Sequence, residues 1–309
     1  KDIVYDDWSG ILPKLERNYK NNRNVILIGP AGSGKSEAVN KFAELKGLPI
    51  YRIPGHQGVT MSQILGKTEL RTDPATGKEV SVFVKGALPV SMENGGILIL
   101  DELNSIPDEV MAGLNQALDV TNRKVYLGEA PTIDYDGTYK SHVGEIKARP
   151  TWFVVATINP PAGKDAEEGT EFLPKRMRDR MEIVTVGYPP ENITEQIVIK
   201  SLLSVKDPKT GLPYAPNGLS PKQISDLEWA LDKIKDLREK YRTQATGDVK
   251  ISSEPSLRRA ISFGIDILSG MSREDALRES VLNQYAEEGV ENVEELSRLY
   301  GVLGKDKGE

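Results

Sequence analysis

The chain has 309 residues, no cysteine and two histidines, and 40 Lys and Arg against 46 Asp and Glu give a formal net charge of −6. The lack of cysteine excludes disulfides, thiolate zinc sites and a cysteine nucleophile, and two histidines leave little room for imidazole metal chemistry. The acidic balance argues weakly against a protein that coats nucleic acid through a global basic field. The length suggests two domains of about 150 residues. The chain has no apolar run near ~20 residues, so no membrane span is expected. It has no signal-like start, so a cytoplasmic location is expected.

The first 190 residues alternate between helical and strand patterns. Helical spacing of apolar residues predicts helices over residues 11–19 and 36–46, the second ending at Gly47. Short apolar runs predict five strands, at residues 25–28, 48–53, 97–100, 152–156 and 182–186. Because strands alternate with helices, we expect an α/β fold with a parallel sheet.

Two segments interrupt this alternation, and both are typical of β-hairpin insertions. Residues 68–85 contain a Pro/Gly turn at residues 73–78, and residues 124–149 contain a turn at Gly137. The second insertion carries a group of aromatic and basic residues, namely Tyr126, Tyr135, Tyr139, Lys140 and His142. These residues either line a pore that grips a substrate or, as is commoner, pack the hairpin or meet a partner.

After residue 190 the pattern becomes helical. A connector rich in Pro and Gly covers residues 207–221, and a capping box from Ser220 to Gln223 starts a long helix. Two further helix starts are expected, at Ser272 and at Asn292. We therefore predict two domains, an α/β core over residues 1–190 and an all-helical domain over residues 191–309.

A glycine-rich segment follows the first predicted strand and opens the next predicted helix. It matches the Walker A pattern GxxxxGK[ST] with Gly29, Pro30, Ala31, Gly32, Ser33, Gly34, Lys35 and Ser36. Its glycines let backbone amides approach phosphate oxygens at a helix N-terminus. We expect Lys35 to reach the β- and γ-phosphates and the Ser36 hydroxyl to bind Mg²⁺. The alternative is a flexible glycine turn without a ligand.

Two other strands end in polar residues. Asp101 and Glu102 follow the strand at 97–100, as in a Walker B motif, with Asp101 expected to hold Mg²⁺ through water and Glu102 to polarise the attacking water. Asn159 follows the strand at 152–156, where its amide could bond the γ-phosphate or the water; taken alone, it would more often cap a loop. The segment from Asn40 to Ala43 breaks the NKxD guanine motif, which disfavours a small GTPase.

The order of these motifs resembles the MoxR branch of AAA+ ATPases. Its members carry GPxGxGK[ST], DE[ILV]N and AT.NP, which here are residues 29–36, 101–104 and 156–160. Residues 64–88, 171–181 and 256–260 are similar to the helix-2 insert, the LPxAxxDRF box and the sensor-2 segment of that branch. Within the branch, the chain is most similar to the ATPases that activate rubisco or nitric oxide reductase and to the ATPase subunit of cobalt chelatase.

The resemblance implies an AAA+ P-loop core with a parallel five-stranded sheet and β-hairpin inserts, followed by an all-helical lid domain. It implies ATP and Mg²⁺ as cofactors, Asn159 as sensor 1, Arg180 as the arginine finger and Arg258 as sensor 2. Because Met181 and Leu257 depart from the family pattern, Arg178 and Arg259 stay open as alternatives for the two arginines. The resemblance also implies a homo-oligomeric ring, most often a hexamer, that remodels a client protein together with a von Willebrand factor A domain partner.

Other functions fit parts of the same sequence. A nucleic-acid translocase on the same core is the main alternative, and it is not favoured because no nucleic-acid-binding domain is visible. The acidic charge does not exclude it, since residues 274–309 carry the whole net −6 and the rest is neutral. A P-loop small-molecule kinase would not need a neighbour's arginine, and a non-hydrolysing scaffold would not need the pair of Asp101 and Glu102.

Overall fold

The computed structural model describes residues 7–72, 77–127, 132–133, 139–140, 144–160, 173, 175–243 and 251–302. The first elements are α1 (Ile11–Lys20), β1 (Asn24–Ile28), α2 (Lys35–Lys46), β2 (Ile50–Pro54), α3 (Met61–Leu65), β3 (Gly66–Thr72), β4 (Glu79–Lys85), α4 (Ala87–Asn94), β5 (Gly96–Asp101) and α5 (Asp108–Leu114). There follow β6 (Lys124–Tyr126), β7 (Thr132–Ile133), β8 (Tyr139–Lys140), β9 (Glu145–Lys147), β10 (Trp152–Ile158), α6 (Lys175–Arg178) and β11 (Met181–Thr185). The remaining helices are α7 (Glu191–Ser204), α8 (Pro221–Thr243), α9 (Leu257–Leu268), α10 (Arg273–Ser280) and α11 (Val290–Leu299).

Five parallel strands form the central sheet, in the order β11-β1-β10-β5-β2. This confirms the predicted α/β fold and all five predicted strands, whose ends differ from the predicted ones by one or two residues. Strands β1 and β10 are buried along their whole length, as expected where helices cover both faces of a parallel sheet. Because all five strands run the same way, the residues that follow them meet at one edge of the sheet.

Alternating residues of the strands face two different hydrophobic cores. Leu98 and Leu100 point to the side that is filled from α4 and α5, whereas Ile97 and Ile99 point to the side covered by α1 and α2. On the second side the rings of Tyr19, Phe42 and Phe153 pack edge to face with centroids 5.5–5.9 Å apart. The α2 helix, which carries the end of the glycine-rich segment, is therefore fixed firmly on the sheet.

Both predicted insertions are present, and they join in a way that the sequence did not predict. The first is the antiparallel hairpin β3–β4, and the second contains the pair β6–β9 with a short hairpin β7–β8 between them. Strand β7 pairs in parallel with β4, so a four-stranded sheet β3-β4-β7-β8 unites the two insertions. The Tyr126 side chain is 56% exposed. Tyr135 and His142, and the side chains of Tyr139 and Lys140, lie outside the described residues.

The residues after 190 form helices around a third core, which lies between α7, α8, α9, α10 and α11. The Ser220 capping box is confirmed, with Gln223 and Ser220 each bonding the other's backbone amide, and Ser272 caps α10 as predicted. The helix start expected at Asn292 is wrong. Helix α11 begins at Val290, because Gly289 with φ 120° ends the preceding turn, and Asn292 is buried in the first turn. The division at residue 190 stays a prediction.

None of the helices that the structure describes is long and apolar enough to cross a membrane.

Candidate nucleotide-binding site

The glycine-rich segment wraps around the N-terminus of α2, directly after β1. Two of its glycines are required by close packing. A Cβ atom on Gly29 would overlap the carbonyl oxygen of Val186, and one on Gly32, whose φ is 73°, would lie 2.6 Å from Cβ of Ser256. The segment is thus pressed between the end of the sheet and the helical region, with its backbone amides at the start of a helix, where anions are favoured.

Lys35 lies inside this loop and is only 6% exposed. Its Nζ donates to the carbonyl oxygens of Gly29 at 2.7 Å and Pro30 at 2.8 Å. Burial, with a smaller contribution from the charge of Arg258, lowers the pKa of Lys35 to about 8. A buried ammonium held only by carbonyl oxygens is favourably placed to receive an anion.

The same loop contains a second hydrogen-bond donor that could bind an anion. The Ser33 hydroxyl oxygen is buried without a hydrogen-bond partner among the described residues. Buried polar atoms are almost always satisfied, and a ligand oxygen in the loop would satisfy this hydroxyl. The phosphate groups of a nucleotide, with several acceptor oxygens, fit the loop amides, Lys35 and Ser33 together.

At the neighbouring strand ends, one hydroxyl connects the two carboxylate residues. Thr157 Oγ1 donates to Asp101 Oδ1 at 3.0 Å and accepts from the backbone N–H of Glu102, also at 3.0 Å. Glu102 has φ 49° and ψ 50°, a left-handed conformation that costs roughly 1 kcal/mol or more for a residue with a side chain. The Thr157 hydrogen bond holds this strained turn, which directs Glu102 out of the sheet. Thr157 belongs to the motif at residues 156–160, but the motif predicts no role for it.

Asn159 and Glu102 come together at the mouth of the site. The Asn159 amide Nδ2 donates to Glu102 Oε1 at 3.3 Å, and the Glu102 side chain is otherwise exposed. A carboxylate that is oriented by an amide and open to solvent can hold and polarise a water molecule.

Arg52 on β2 was missed by the sequence analysis. Its Nη1 donates to Asp101 Oδ2 at 3.1 Å and its Nη2 to Asn40 Oδ1 at 2.5 Å. Both oxygens of Asp101 are therefore bonded, one to Thr157 and one to Arg52. The available signal was a single cation inside an otherwise uncharged strand, but the sequence does not show that β2 lies beside β5.

The glycine-rich loop and the strand ends line a cavity of about 410 Å³, and Arg52 is not among the described residues that line it. Its polar end is formed by loop residues up to Ser36 and by Asp101, Glu102, Thr157 and Asn159. Ser36 and Asp101 offer the oxygen ligands that Mg²⁺ prefers. The other end is apolar, lined by Trp8, Pro189, Ile197, Leu257 and Ile261. Trp8, which the sequence analysis did not select, also packs against the helical core. A cavity with a phosphate-binding end and an apolar end suits a nucleotide.

The predicted arginines lie in different places. Arg258, near the start of α9, lines the cavity, whereas Nη1 of Arg259 lies 3.5 Å from the carbonyl oxygen of Ser280. Arg180 lies in the turn between α6 and β11, and it is absent from the described residues that line the cavity of its own chain. The neighbouring Arg178 is exposed. The other predicted site residues lie together around the cavity, in the glycine-rich loop, at the strand ends and at the start of α9. Among the predicted site residues that the structure describes, Arg180 alone lies apart from them.

One family model covers the part of the chain that forms the polar end of this site. Residues 24–181 match the model of an AAA domain described as the dynein-related subfamily. Proteins from Staphylococcus aureus strains NCTC 8325 and MRSA252, both named as uncharacterised, are each 26% identical over 271 residues, which is 86% of this chain and 86% of theirs. A crystal structure of a candidate ATPase from Cytophaga hutchinsonii covers 96% of this chain and 90% of its own, with 16% identity and a TM-score of 0.46. The matched segment spans half of the chain and contains the glycine-rich loop, both carboxylates and Asn159, so this chain belongs to the AAA domain family, in its dynein-related subfamily.

Proposed function

We propose that this protein hydrolyses ATP with Mg²⁺. The observation that carries the proposal is the hydrogen-bonded set of Asp101, Thr157, Glu102 and Asn159, which faces the same cavity as Lys35. A binding module would need the glycine-rich loop alone. A carboxylate held in a strained turn and oriented by an amide is a feature that hydrolysis requires and binding does not.

The phosphates are bound by residues 29–36, with Lys35 neutralising the charge of the β- and γ-phosphates. Ser36 and Asp101 would hold Mg²⁺, and the ion supplies charge neutralisation on the phosphate oxygens when it is bound. Arg258 reaches the cavity from the helical region and adds a second cation. At the other end, Trp8 and Ile261 enclose the nucleobase between the N-terminal segment and α9.

Glu102 acts as the general base that orients and polarises the attacking water. Asn159 holds the Glu102 carboxylate, and its amide can also donate to the γ-phosphate. Phosphoryl transfer requires little covalent help, so fixed positions and charge neutralisation supply most of the rate enhancement.

We further propose that the working form is a homo-oligomeric ring of the MoxR type, most simply a hexamer. Arg180 is not among the described residues that line the cavity of its own chain, which supports its use as an arginine finger at the cavity of the neighbouring subunit. The ring would act on a client protein with the help of a von Willebrand factor A domain partner, as the motif resemblance implies. The united insertions, with exposed Tyr126, are a surface for contact with such a client.

The hydrolytic role is tested by Glu102→Gln. We expect ATP turnover to fall by roughly 10²–10³-fold while ATP affinity stays within about threefold, because the variant loses the base and keeps the phosphate contacts. The matched control is Glu109→Gln, which changes an exposed glutamate in the first turn of α5. Unchanged turnover in Glu102→Gln would refute the assignment.

The shared active site is tested by mixing two inactive variants. Subunits with Glu102→Gln keep Arg180, and subunits with Arg180→Ala keep Glu102. Random mixing would restore about a quarter of the interfaces, those in which an intact Glu102 meets an intact Arg180 from the next subunit. Turnover of the mixture should exceed that of either variant alone, and Arg178→Ala serves as the control. If mixing restores nothing, Arg180 is not supplied to a neighbour.

A further inference from the structure

Outside the residues that face the nucleotide, Tyr188 makes a direct contact with the glycine-rich loop. Its hydroxyl donates to the backbone carbonyl oxygen of Ala31 at 2.7 Å. Burial raises the pKa of Tyr188 to about 12, so the phenol keeps its proton near neutral pH and remains a donor. The next residue, Pro189, lines the cavity.

The ring of Tyr188 carries a buried cation from the helical region. The guanidinium carbon of Arg238, on α8, lies 4.4 Å from the ring centroid, and Nε of Arg238 donates to the carbonyl oxygen of Pro255 at 3.0 Å. Arg238 is only 8% exposed. A stacked guanidinium that also donates in its own plane cannot be replaced by a lysine ammonium.

Pro255 leads directly into α9. The next residue, Ser256, is the N-cap of that helix and packs on Gly32, and Arg258 is the second helical residue. The start of α9 therefore meets the glycine-rich loop twice: directly at Ser256, and through the stacked pair of Arg238 and Tyr188. Both contacts lie between the phosphate-binding backbone and the arginine that the helical region contributes.

One nitrogen of the Arg238 guanidinium is placed unfavourably for the stability of the fold. Its Nη2 is buried and has no hydrogen-bond partner among the residues that the structure describes. An unsatisfied buried donor costs about 1–3 kcal/mol, so the stability of the fold does not by itself account for an arginine at this position. Holding the start of α9 in place relative to the glycine-rich loop is a role that would account for it.

We propose that Arg238 is a positioning residue: together with Tyr188 it ties the start of α9 to the glycine-rich loop, and in this way it sets the place of Arg258 at the nucleotide. The inference rests on the proposed binding of ATP at this cavity. It predicts that Arg238 contributes to ATP binding only through Arg258, and that Tyr188 and Arg238 act as one unit.

The test measures binding of a fluorescent ATP analogue with Mg²⁺ to the full chain, alongside thermal unfolding. Arg238→Lys and Tyr188→Phe should each weaken binding by about three- to tenfold, the scale of a desolvated cation–π contact or a buried hydrogen bond. The double variant should bind no more weakly than the weaker single variant, within about twofold. The matched control is Arg273→Lys, because Arg273 stacks on Trp229 at 4.8 Å within the helical region, and this variant should bind like the unaltered protein.

The decisive comparison adds Arg258→Ala. If Arg238 acts through Arg258, then Arg238→Lys has no further effect on binding once Arg258 is alanine. If the losses of affinity caused by Arg238→Lys and Arg258→Ala multiply, the inference is overturned, although the ATP site remains. The same holds if the Arg258→Ala variant binds the analogue normally. If the unaltered protein does not bind the analogue, the proposed function itself fails, which is a different and recognisable result.

Discussion

The two sides of the cavity are built differently. On the sheet side, the three charged groups have protein partners: Lys35 bonds two carbonyls, Asp101 bonds Thr157 and Arg52, and Glu102 bonds Asn159. On the helical side, Arg258 is exposed at the cavity, and its neighbours there are apolar. The sheet side is pre-organised for charge at fixed points, whereas the helical side depends on a few contacts for its placement. Changes to the sheet side should therefore have the larger effects.

The largest effect on ATP binding is expected from removing the buried cation of the sheet side. Lys35→Met keeps most of the volume and loses the charge, so the phosphates meet a loop without its ammonium. We expect ATP binding to weaken on the order of 100-fold, since a buried charged contact is worth about 3 kcal/mol. Titration with a fluorescent ATP analogue measures this.

The control for Lys35 comes from the same helix. Lys41 is half-exposed and pairs with Glu44 at 2.9 Å, so Lys41→Met removes a charge from α2 without touching the loop. Its ATP affinity should be unchanged. Equal losses in the two variants would show that overall charge, rather than the buried position, attracts the nucleotide.

A smaller effect should come from the hydroxyl that links the carboxylates. Thr157→Val keeps the shape of the side chain but removes both the donor to Asp101 and the acceptor of the Glu102 amide. We expect turnover to fall by roughly 30-fold with ATP affinity within about threefold, because the strained Glu102 turn loses its support while the loop is intact. Steady-state hydrolysis measures the turnover, and binding of a fluorescent ATP analogue measures the affinity.

A loss of stability alone must be distinguished from this effect. Ser91→Ala is the matched control, since the Ser91 hydroxyl is also buried and also makes two hydrogen bonds, with Leu88 and Trp152. Both variants should lower the unfolding temperature, and only Thr157→Val should lower turnover. If Ser91→Ala lowers turnover equally, the Thr157 hydroxyl has no specific role.

The sheet, the glycine-rich loop and the pair of Asp101 and Glu102 could be predicted because their signals are local. An apolar run predicts a buried strand, and a polar residue after it must lie at the carboxyl edge of a parallel sheet, whatever the order of the strands. The arginine that the helical region contributes could be predicted less directly. The sensor-2 segment leaves two adjacent candidates, and only the structure shows that Arg258 lies at the cavity while Arg259 lies near Ser280.

The parts that could not be predicted depend on contacts between distant segments. Arg52 reaches Asp101 only because β2 pairs with β5, and the two insertions share a sheet only because β7 pairs with β4. Trp8 precedes the sheet by many residues and joins the cavity through packing on the helical core. The start of α11 was misplaced because Asn292 has the composition of a cap, while the conformation of Gly289 decides where the turn ends.

The smallest effect concerns Arg52, a cation that shares Asp101 with the expected metal. The ion pair of Arg52 and Asp101 is about one-third exposed on each side, so it is worth at most about 1 kcal/mol. Mg²⁺ must compete with this guanidinium for the carboxylate. Arg52→Gln should therefore lower the Mg²⁺ concentration that half-saturates ATP turnover by up to about fivefold, the equivalent of that energy. Arg23→Gln breaks a similar exposed pair with Glu182 and should leave the Mg²⁺ requirement unchanged. A higher Mg²⁺ requirement in Arg52→Gln would mean that Arg52 holds Asp101 in place for the metal. In that case the orientation that Arg52 gives to the Asp101 carboxylate matters more for Mg²⁺ binding than the competition between Arg52 and Mg²⁺.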